Sequence, residues 1–219
     1  NITAKDVANL RAKTGLGMMD CKKALVEAEG DFEKAVKILR EKGLATAEKK
    51  ADRIAAEGLV DIMTKDGVTA MIEANSETDF AAKSDAFKEF VKGVLETIIA
   101  KRPATVAELL ELPYLDTAET VQKTLIEKIA IIKENLTIRR FVIVEGVTSS
   151  YIHGFGSTGV VVKFDTTAEI AAKAEFKEFA NNIALQIAAF NLPYLAVEDV
   201  PASVLEEEKA IIMTQMKQD

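Results

Sequence analysis

The chain has 219 residues, of which 48% are hydrophobic and 29% are charged, the balance of a folded protein and not of a disordered one. Its formal net charge of −7 disfavours nucleic acid as the main ligand, because a phosphate backbone requires clustered lysine and arginine side chains. No apolar run approaches the length of a transmembrane helix, no basic-then-apolar leader opens the sequence, and the single cysteine excludes an intrachain disulfide and indicates a reducing compartment.

The charge is unevenly distributed along the chain. Residues 1–53 hold 12 lysine and arginine residues against 9 aspartate and glutamate residues, a net charge of +3, whereas the remainder holds 16 against 26, a net charge of −10. The asymmetry indicates an N-terminal module, with a function of its own, attached to an acidic body.

Helical spacing of apolar residues predicts three short helices in this module. Thr3 caps the first helix, Asp20 opens the second, and Asp31 caps the third, which we expect to end at Gly43. The following residues, 44–56, are rich in alanine, lysine and glutamate and predict a helical or partly ordered linker.

A glycine-containing break separates the first two predicted helices. Thr14-Gly15-Leu16-Gly17 precedes Met18 and Met19, so three flexible apolar side chains lie close together. For Met19, burial in the core is the favoured interpretation. For Leu16 and Met18, a surface that binds a partner is nearly as well supported as burial.

From Glu57 the apolar pattern changes to alternation. Two alternating runs flank Asp66-Gly67 and predict a β-hairpin, and a long amphipathic helix is predicted over 81–101. Between them lies Asn75-Ser76-Glu77-Thr78-Asp79-Phe80. An aromatic ring at such a tip has no evident core to enter, so Asp79 and Phe80 are predicted to form an exposed wedge for a partner; the alternative is that a neighbouring element covers the ring.

The sequence contains an internal repeat. Phe87-Lys88-Glu89-Phe90 recurs at residues 176–179, and Glu57-Gly58 recurs as Glu145-Gly146. The order of the matches predicts an α+β fold of antiparallel strands and long helices in two related halves. With the N-terminal module, the predicted domains are 1–53, 54–140 and 141–200, followed by a helical segment over 201–219.

The second half carries Tyr151-Ile152-His153-Gly154-Phe155-Gly156 in its hairpin, and His153 is the only histidine. No matched serine or cysteine nucleophile accompanies it, and one histidine makes a poor metal site. A polar residue at a hairpin tip is therefore favoured over catalysis, with contact to a partner as a third option. No phosphate-binding loop or dinucleotide fingerprint is present.

These motifs resemble one known family. The segment from Thr14 to Leu25, the tripeptide Thr78-Asp79-Phe80 and the tetrapeptide Tyr151-Ile152-His153-Gly154 are similar to those of bacterial-type elongation factor Ts. The resemblance implies a guanine nucleotide exchange factor for the GTPase elongation factor Tu. It also implies a three-helix N-terminal domain of the ubiquitin-associated-like type and a core of two duplicated subdomains.

The resemblance also implies a set of partner-binding residues. Thr78, Asp79 and Phe80 would enter the GTPase domain near its magnesium site, and His153 would lie near its phosphate-binding loop. A second helix of that domain would be contacted by Leu16, Met18, Met19 and Lys22. The family pattern places a further contact at Ile132, where this chain departs by carrying Lys133 in place of a glycine before Glu134-Asn135.

Such a factor would have no chemistry of its own and no cofactor, because it acts on the GDP and magnesium bound to its partner. We expect no direct nucleic-acid or membrane partner; a homo-oligomer is allowed by the sequence but has no support in it. The expected location is the bacterial cytoplasm, or an organellar matrix or stroma for a eukaryotic source. Two alternatives remain: a non-exchanging adaptor that docks through residues 1–43, and an enzyme that acts through His153.

Overall fold

The structure is a computed structural model that describes residues 2–190 and 192–217. Helices and antiparallel strands are both present, which confirms the predicted α+β class. In chain order the elements are α1 (Ala4–Thr14), α2 (Met18–Glu27), α3 (Phe32–Lys50), β1 (Glu57–Lys65), β2 (Val68–Ser76), α4 (Asp79–Lys83), α5 (Asp85–Lys101), α6 (Val106–Glu111), α7 (Val121–Ile132), β3 (Thr137–Glu145), β4 (Val147–His153), β5 (Thr158–Phe164), α8 (Ala168–Ala171), α9 (Ala174–Phe190) and α10 (Ala202–Gln215).

Helices α1 to α3 form the predicted N-terminal bundle. Thr3 caps α1 in a capping box, in which the Asp6 amide donates to Thr3 Oγ1 and the Thr3 amide donates to Asp6 Oδ2. Asp31 caps α3 by accepting from the Lys34 amide at 2.9 Å, as predicted. The bundle has its own apolar core, formed by Val7, Leu10, Cys21, Ala24, Leu25, Ala28, Ala35 and Leu39.

Two predicted helix boundaries in this module are wrong. Helix α2 begins at Met18 and not at Asp20, because Gly17 in extended conformation serves as the N-cap and Asp20 occupies the first turn. Helix α3 does not end at Gly43 but continues to Lys50. Gly43 is buried inside the helix, where it faces α7: a Cβ atom added there would lie 3.4 Å from Ala130 Cβ, at ordinary van der Waals distance.

The central sheet is antiparallel, in the order β1-β2-β3. Asp66 and Gly67 join β1 to β2 with φ values of 51° and 76°, the left-handed pair that a tight hairpin turn requires. Helix α5 covers the sheet with the predicted apolar stripe, all of it buried: Phe87, Phe90, Val91, Val94, Leu95 and Ile98. The helix predicted over 81–101 is divided, because Ser84 in extended conformation ends α4 and caps α5.

Strands β4 and β5 form a second, two-stranded antiparallel sheet that packs against α9. The predicted boundary between residues 140 and 141 falls inside β3, which continues to pair with β2 as far as Glu145. The chain leaves the first sheet at Gly146, whose φ of 105° allows the sharp change of direction. On either side of Gly146 the same order recurs: two strands, a short helix and a long helix.

Helix packing and hydrogen bonds join the N-terminal bundle, the first sheet and the second sheet. The N-terminal bundle packs on the core through α3 and α7. The tip of the β4–β5 hairpin is fastened to the edge strand β1, where the Val60 amide donates to the Gly156 carbonyl at 2.7 Å. The hydroxyl groups of Thr69 and Thr148 join the two sheets at 2.7 Å. Among the helices described, none combines the length and apolarity needed to cross a bilayer.

Candidate partner-binding site

The predicted wedge lies where the sequence placed it, between the end of β2 and the start of a helix. Thr78 caps α4 by accepting from the Ala81 amide at 3.3 Å, which places Asp79 and Phe80 in the first turn. The side chain of Phe80 is 84% exposed, whereas Ala81 and Ala82 are buried against the core. The two alanines therefore anchor a short helix that presents the Phe80 ring to solvent.

Asp79 supplies a carboxylate beside this ring. Lys83, one helical turn later, donates from Nζ to Asp79 Oδ2 at 2.7 Å. That hydrogen bond and the lysine charge lower the pKa of Asp79 below its ordinary value. The wedge consequently presents a negative charge and an apolar ring on adjacent residues.

A network of four residues fixes the turn that carries the wedge, and we call it the clamp: Glu77, Thr78, Glu134 and Asn135. Glu134 accepts from the Thr78 amide at 3.0 Å and from the Thr78 hydroxyl at 2.6 Å. In the opposite direction the Asn135 amide donates to Glu77 Oε1 at 2.7 Å. The Asn135 side chain reaches the Arg53 carbonyl at 2.7 Å, which ties the end of the linker to the same network.

Sequence reasoning did not find Glu134 as part of the site. It lies 56 positions from Thr78, so no local spacing reveals the contact. The only sequence signal was the departure at Lys133. Lys133 adopts a left-handed conformation with φ of 66° at the end of α7, where glycine is the favoured residue.

Lys133 and Ile132 have different surroundings. The Lys133 ammonium lies 3.6 Å from Asp20 Oδ2 in the first turn of α2. Ile132 is half-buried and packs against the main core, so only part of its side chain can reach a partner. Lys133 thus contacts the start of α2, and the next residue, Glu134, contacts the turn that carries the wedge.

The second predicted surface surrounds the start of α2. Leu16 is half-buried against the bundle core, Met18 is 52% exposed and Lys22 is exposed. The expected burial of Met19 is wrong, because its side chain is 62% exposed. The buried stripe of α2 contains Cys21, and Met19, two positions earlier, lies off that stripe.

His153 ends β4 at the tip of the second hairpin and is exposed, in accord with the favoured prediction of a polar tip residue. The Tyr151 hydroxyl lies 2.9 Å from His153 Nδ1, and this hydrogen bond orients the imidazole ring. Within residues 2–190 and 192–217, no group of three or more histidine, cysteine, aspartate or glutamate side chains could hold a metal ion.

The site therefore consists of three exposed surfaces on a shared frame. The wedge on α4 packs against β1 and β2, the hairpin tip with His153 is fastened to β1, and the start of α2 reaches the clamp segment through Lys133. Surface turns mounted on a packed scaffold are the usual arrangement for binding a macromolecule at several points. The binding roles of the individual residues on these surfaces stay predictions.

Comparisons with known proteins identify the family of this chain. The family model described as Elongation factor TS matches residues 77–219. The Elongation factor Ts of Syntrophotalea carbinolica is 45% identical over 217 residues, covering 98% of this chain and 71% of that protein. The Elongation factor Ts of Symbiobacterium thermophilum is 46% identical over 221 residues, with 98% and 70% covered. That of Nostoc sp. is 46% identical over 220 residues, with 96% and 70% covered. The chain belongs to the elongation factor Ts family of translation elongation factors.

Proposed function

We propose that this chain is a guanine nucleotide exchange factor that binds elongation factor Tu and promotes release of GDP by disturbing the magnesium and phosphate site of that GTPase. It has no bound cofactor and performs no bond-breaking chemistry itself. The observation that carries the proposal is the wedge, since Phe80 is 84% exposed on a turn fixed by the clamp and stands beside a carboxylate.

The wedge suits insertion because its conformation is set before binding. Burying a phenylalanine side chain contributes about 1.5–3 kcal/mol. A flexible turn would lose part of that gain in ordering entropy, whereas the hydrogen bonds from Thr78 to Glu134 hold this turn in one geometry. The free energy of burial is therefore available to move elements of the partner apart.

Asp79 adds an electrostatic effect. Asp79 is ionised at neutral pH, so the wedge brings a carboxylate, paired with the Lys83 ammonium at 2.7 Å, into the partner. Mg²⁺ requires near-ideal octahedral coordination by oxygen ligands. A ring that shifts the supporting helices, together with a carboxylate that competes for nearby hydrogen-bond donors, would disturb this coordination and weaken the hold on GDP.

Such a disturbance of the GDP site is sufficient for exchange, because binding of the factor and binding of GDP to the GTPase are thermodynamically linked. If the factor binds the nucleotide-free GTPase more tightly than the GDP-bound form, it must weaken GDP binding by the same factor. The start of α2, with Met18, Met19 and Lys22, supplies affinity at a second point. At the third point Tyr151 occupies Nδ1 of His153, so Nε2 is the ring nitrogen that a phosphate-binding loop can reach.

The test is release of a fluorescent GDP from elongation factor Tu, followed by stopped flow with increasing concentrations of the chain. The wild-type chain should accelerate release, and Phe80→Ala should reduce the acceleration by about tenfold or more, as expected for a central aromatic contact. Its melting temperature should equal that of the wild type, because the exposed ring contributes little to the core. Phe190→Ala, which removes another exposed ring on α9, is the matched control and should leave exchange unchanged.

Other outcomes separate the alternatives. A large fall in the melting temperature of Phe80→Ala would show that the ring supports the core and would contradict the wedge. Binding to elongation factor Tu without acceleration of GDP release would leave a docking adaptor that uses residues 1–43. Absence of binding by the wild-type chain would contradict the proposed function as a whole.

A further inference from the structure

The turn between β4 and β5 contains a residue that the fold does not require. Gly154, Phe155 and Gly156 have φ values of 58°, 57° and 96°, three consecutive residues in left-handed conformation. Glycine adopts this conformation freely, but the Cβ atom of a phenylalanine is crowded in it. The ring of Phe155 is also 88% exposed, more than that of Phe80.

The conformation of this turn is maintained by its neighbours. The His153 carbonyl accepts from the Gly156 amide at 3.2 Å and from the Ser157 amide at 3.0 Å. The Gly156 carbonyl is bonded to the Val60 amide of β1. All of these bonds would persist with glycine at position 155, and the backbone would then be less strained. An exposed aromatic ring in a disfavoured conformation points to a role outside the fold.

The turn is mounted on the same strand as the wedge. Val60, which holds Gly156, follows Glu57 by three positions, about 10 Å along a strand. Glu57 pairs with Ser76, the last residue of β2 before the turn of the wedge. Strand β1 thus supports both exposed rings, Phe80 through the end of the first hairpin and Phe155 through the tip of the second.

We propose that Phe155 is a second aromatic binding residue for the same GTPase, and that its ring enters an apolar cleft next to the region approached by His153. This inference rests on the proposed function. The occupant is the GTPase because Phe155 lies two positions from His153 at the same hairpin tip, so a partner that covers the tip at His153 also comes within reach of Phe155. The turn from Gly154 to Ser157 contains no cationic side chain, so the ring is suited to an apolar cleft and not to a phosphate.

The experiment measures binding of nucleotide-free elongation factor Tu by calorimetry, for the full chain and its variants. Phe155→Gly should weaken binding by about tenfold or more, since buried aromatic anchors dominate interfaces of this kind. Its melting temperature should stay within about 4 °C of the wild type, because relief of backbone strain offsets the added freedom of the unfolded chain. Phe155→Tyr, which keeps an aromatic ring, should retain most of the affinity.

The controls keep this inference separate from the proposed function. Phe190→Ala should bind as the wild type does; an equal loss there would show a general effect of removing exposed rings and would overturn the role of Phe155. Unchanged affinity of Phe155→Gly, with the wild-type chain still accelerating GDP release, would refute the inference and leave the exchange function intact. A melting temperature of Phe155→Gly lower by more than about 4 °C, beyond the effect of the added freedom of the unfolded chain, would show that the ring serves the fold and would also overturn the inference.

Discussion

Glu77 shows how one carboxylate links the wedge to the rest of the core. It accepts a hydrogen bond from the Asn135 amide at 2.7 Å, and the Arg53 guanidinium lies 3.6 Å away. The hydrogen bond, followed by the positive charge of Arg53, lowers the pKa of Glu77 below its ordinary value, against the opposing effect of desolvation. Glu77 in its ionised form therefore stabilises the folded chain.

The sign of the shift gives a pH prediction for Glu77→Gln, a variant that mimics the protonated side chain. Because the folded-state pKa is lower than the unfolded-state pKa, the stabilisation is present above the unfolded value and is lost as pH falls through the folded value. We expect the wild type to melt at a higher temperature than Glu77→Gln at neutral pH, and the two to converge in acid. Thermal unfolding across pH checks this, and a difference that persists at the lowest pH would contradict it.

The exposure and contacts of some site residues could be predicted from the sequence, and those of others could not. The exposure of Phe80 followed from its position between an alternating run and a helical one, since no core was available at that tip. The exposure of Met19 did not follow from the sequence, because the predicted start of α2 at Asp20 is two residues later than the observed start at Met18. Glu134 could not be predicted at all, since its contact with Thr78 depends on how α7 and β3 return to the first hairpin.

At the scale of elements, two helical glycines have different surroundings. Gly43 in α3 has room for a methyl group, which would lie 3.4 Å from Ala130 Cβ, an ordinary van der Waals contact. Gly93 in α5 has no such room, because a Cβ atom would lie 2.8 Å from Tyr114 Cε2. The Tyr114 ring stacks on Phe90 with centroids 5.7 Å apart, and moving it would break that contact.

Alanine substitutions at these two glycines are predicted to have opposite effects on the free energy of unfolding. Gly43→Ala should stabilise the chain by about 0.5–1 kcal/mol, since alanine favours the helix and the space is sufficient. Gly93→Ala should destabilise it by about 1–3 kcal/mol despite the same helix preference, because the core becomes overpacked. Denaturant unfolding of both variants measures the difference. Destabilisation by Gly43→Ala would show that α3 and α7 cannot accommodate a methyl group.

Elements were predictable from sequence where local signals were strong. The Asp66-Gly67 hairpin and the apolar stripe of α5 are examples, because turn chemistry and helical period act over a few residues. Gly43 does not end the helix as predicted, because a glycine can stop a helix or lie inside one, and the sequence alone does not distinguish the two. The pairing of all of β3 with the first sheet, across the predicted boundary at 140, could not be predicted from sequence because strand pairing is not local.

The whole molecule combines an N-terminal bundle with a core, and the two are packed together and not merely tethered. Helix α3 extends past the bundle to lie against α7, Arg40 pairs with Glu119 at 2.9 Å, and Lys133 lies near Asp20. These surface ion pairs contribute only about 0–1 kcal/mol each, so the helix packing supplies most of the attachment. The start of α2 and the wedge are therefore presented to a partner in a defined relative position.

This arrangement predicts different roles for the two surfaces, with the start of α2 contributing to binding and the wedge to release of GDP. The rate of GDP release measured over a range of chain concentrations separates the two roles. Met18→Ala removes an exposed contact on α2, outside the wedge, so it should raise the concentration of chain that gives half-maximal acceleration by roughly tenfold, the equivalent of about 1.4 kcal/mol. The maximal rate of GDP release should be unchanged. Phe80→Ala should lower the maximal rate itself, because the wedge acts when the complex has already formed. Phe190→Ala, which removes an exposed ring on α9, outside both surfaces, is the control and should match the wild type in both quantities. If Met18→Ala instead lowered the maximal rate as Phe80→Ala does, the bundle would take part in displacing the nucleotide, and the separation of docking from exchange would have to be abandoned.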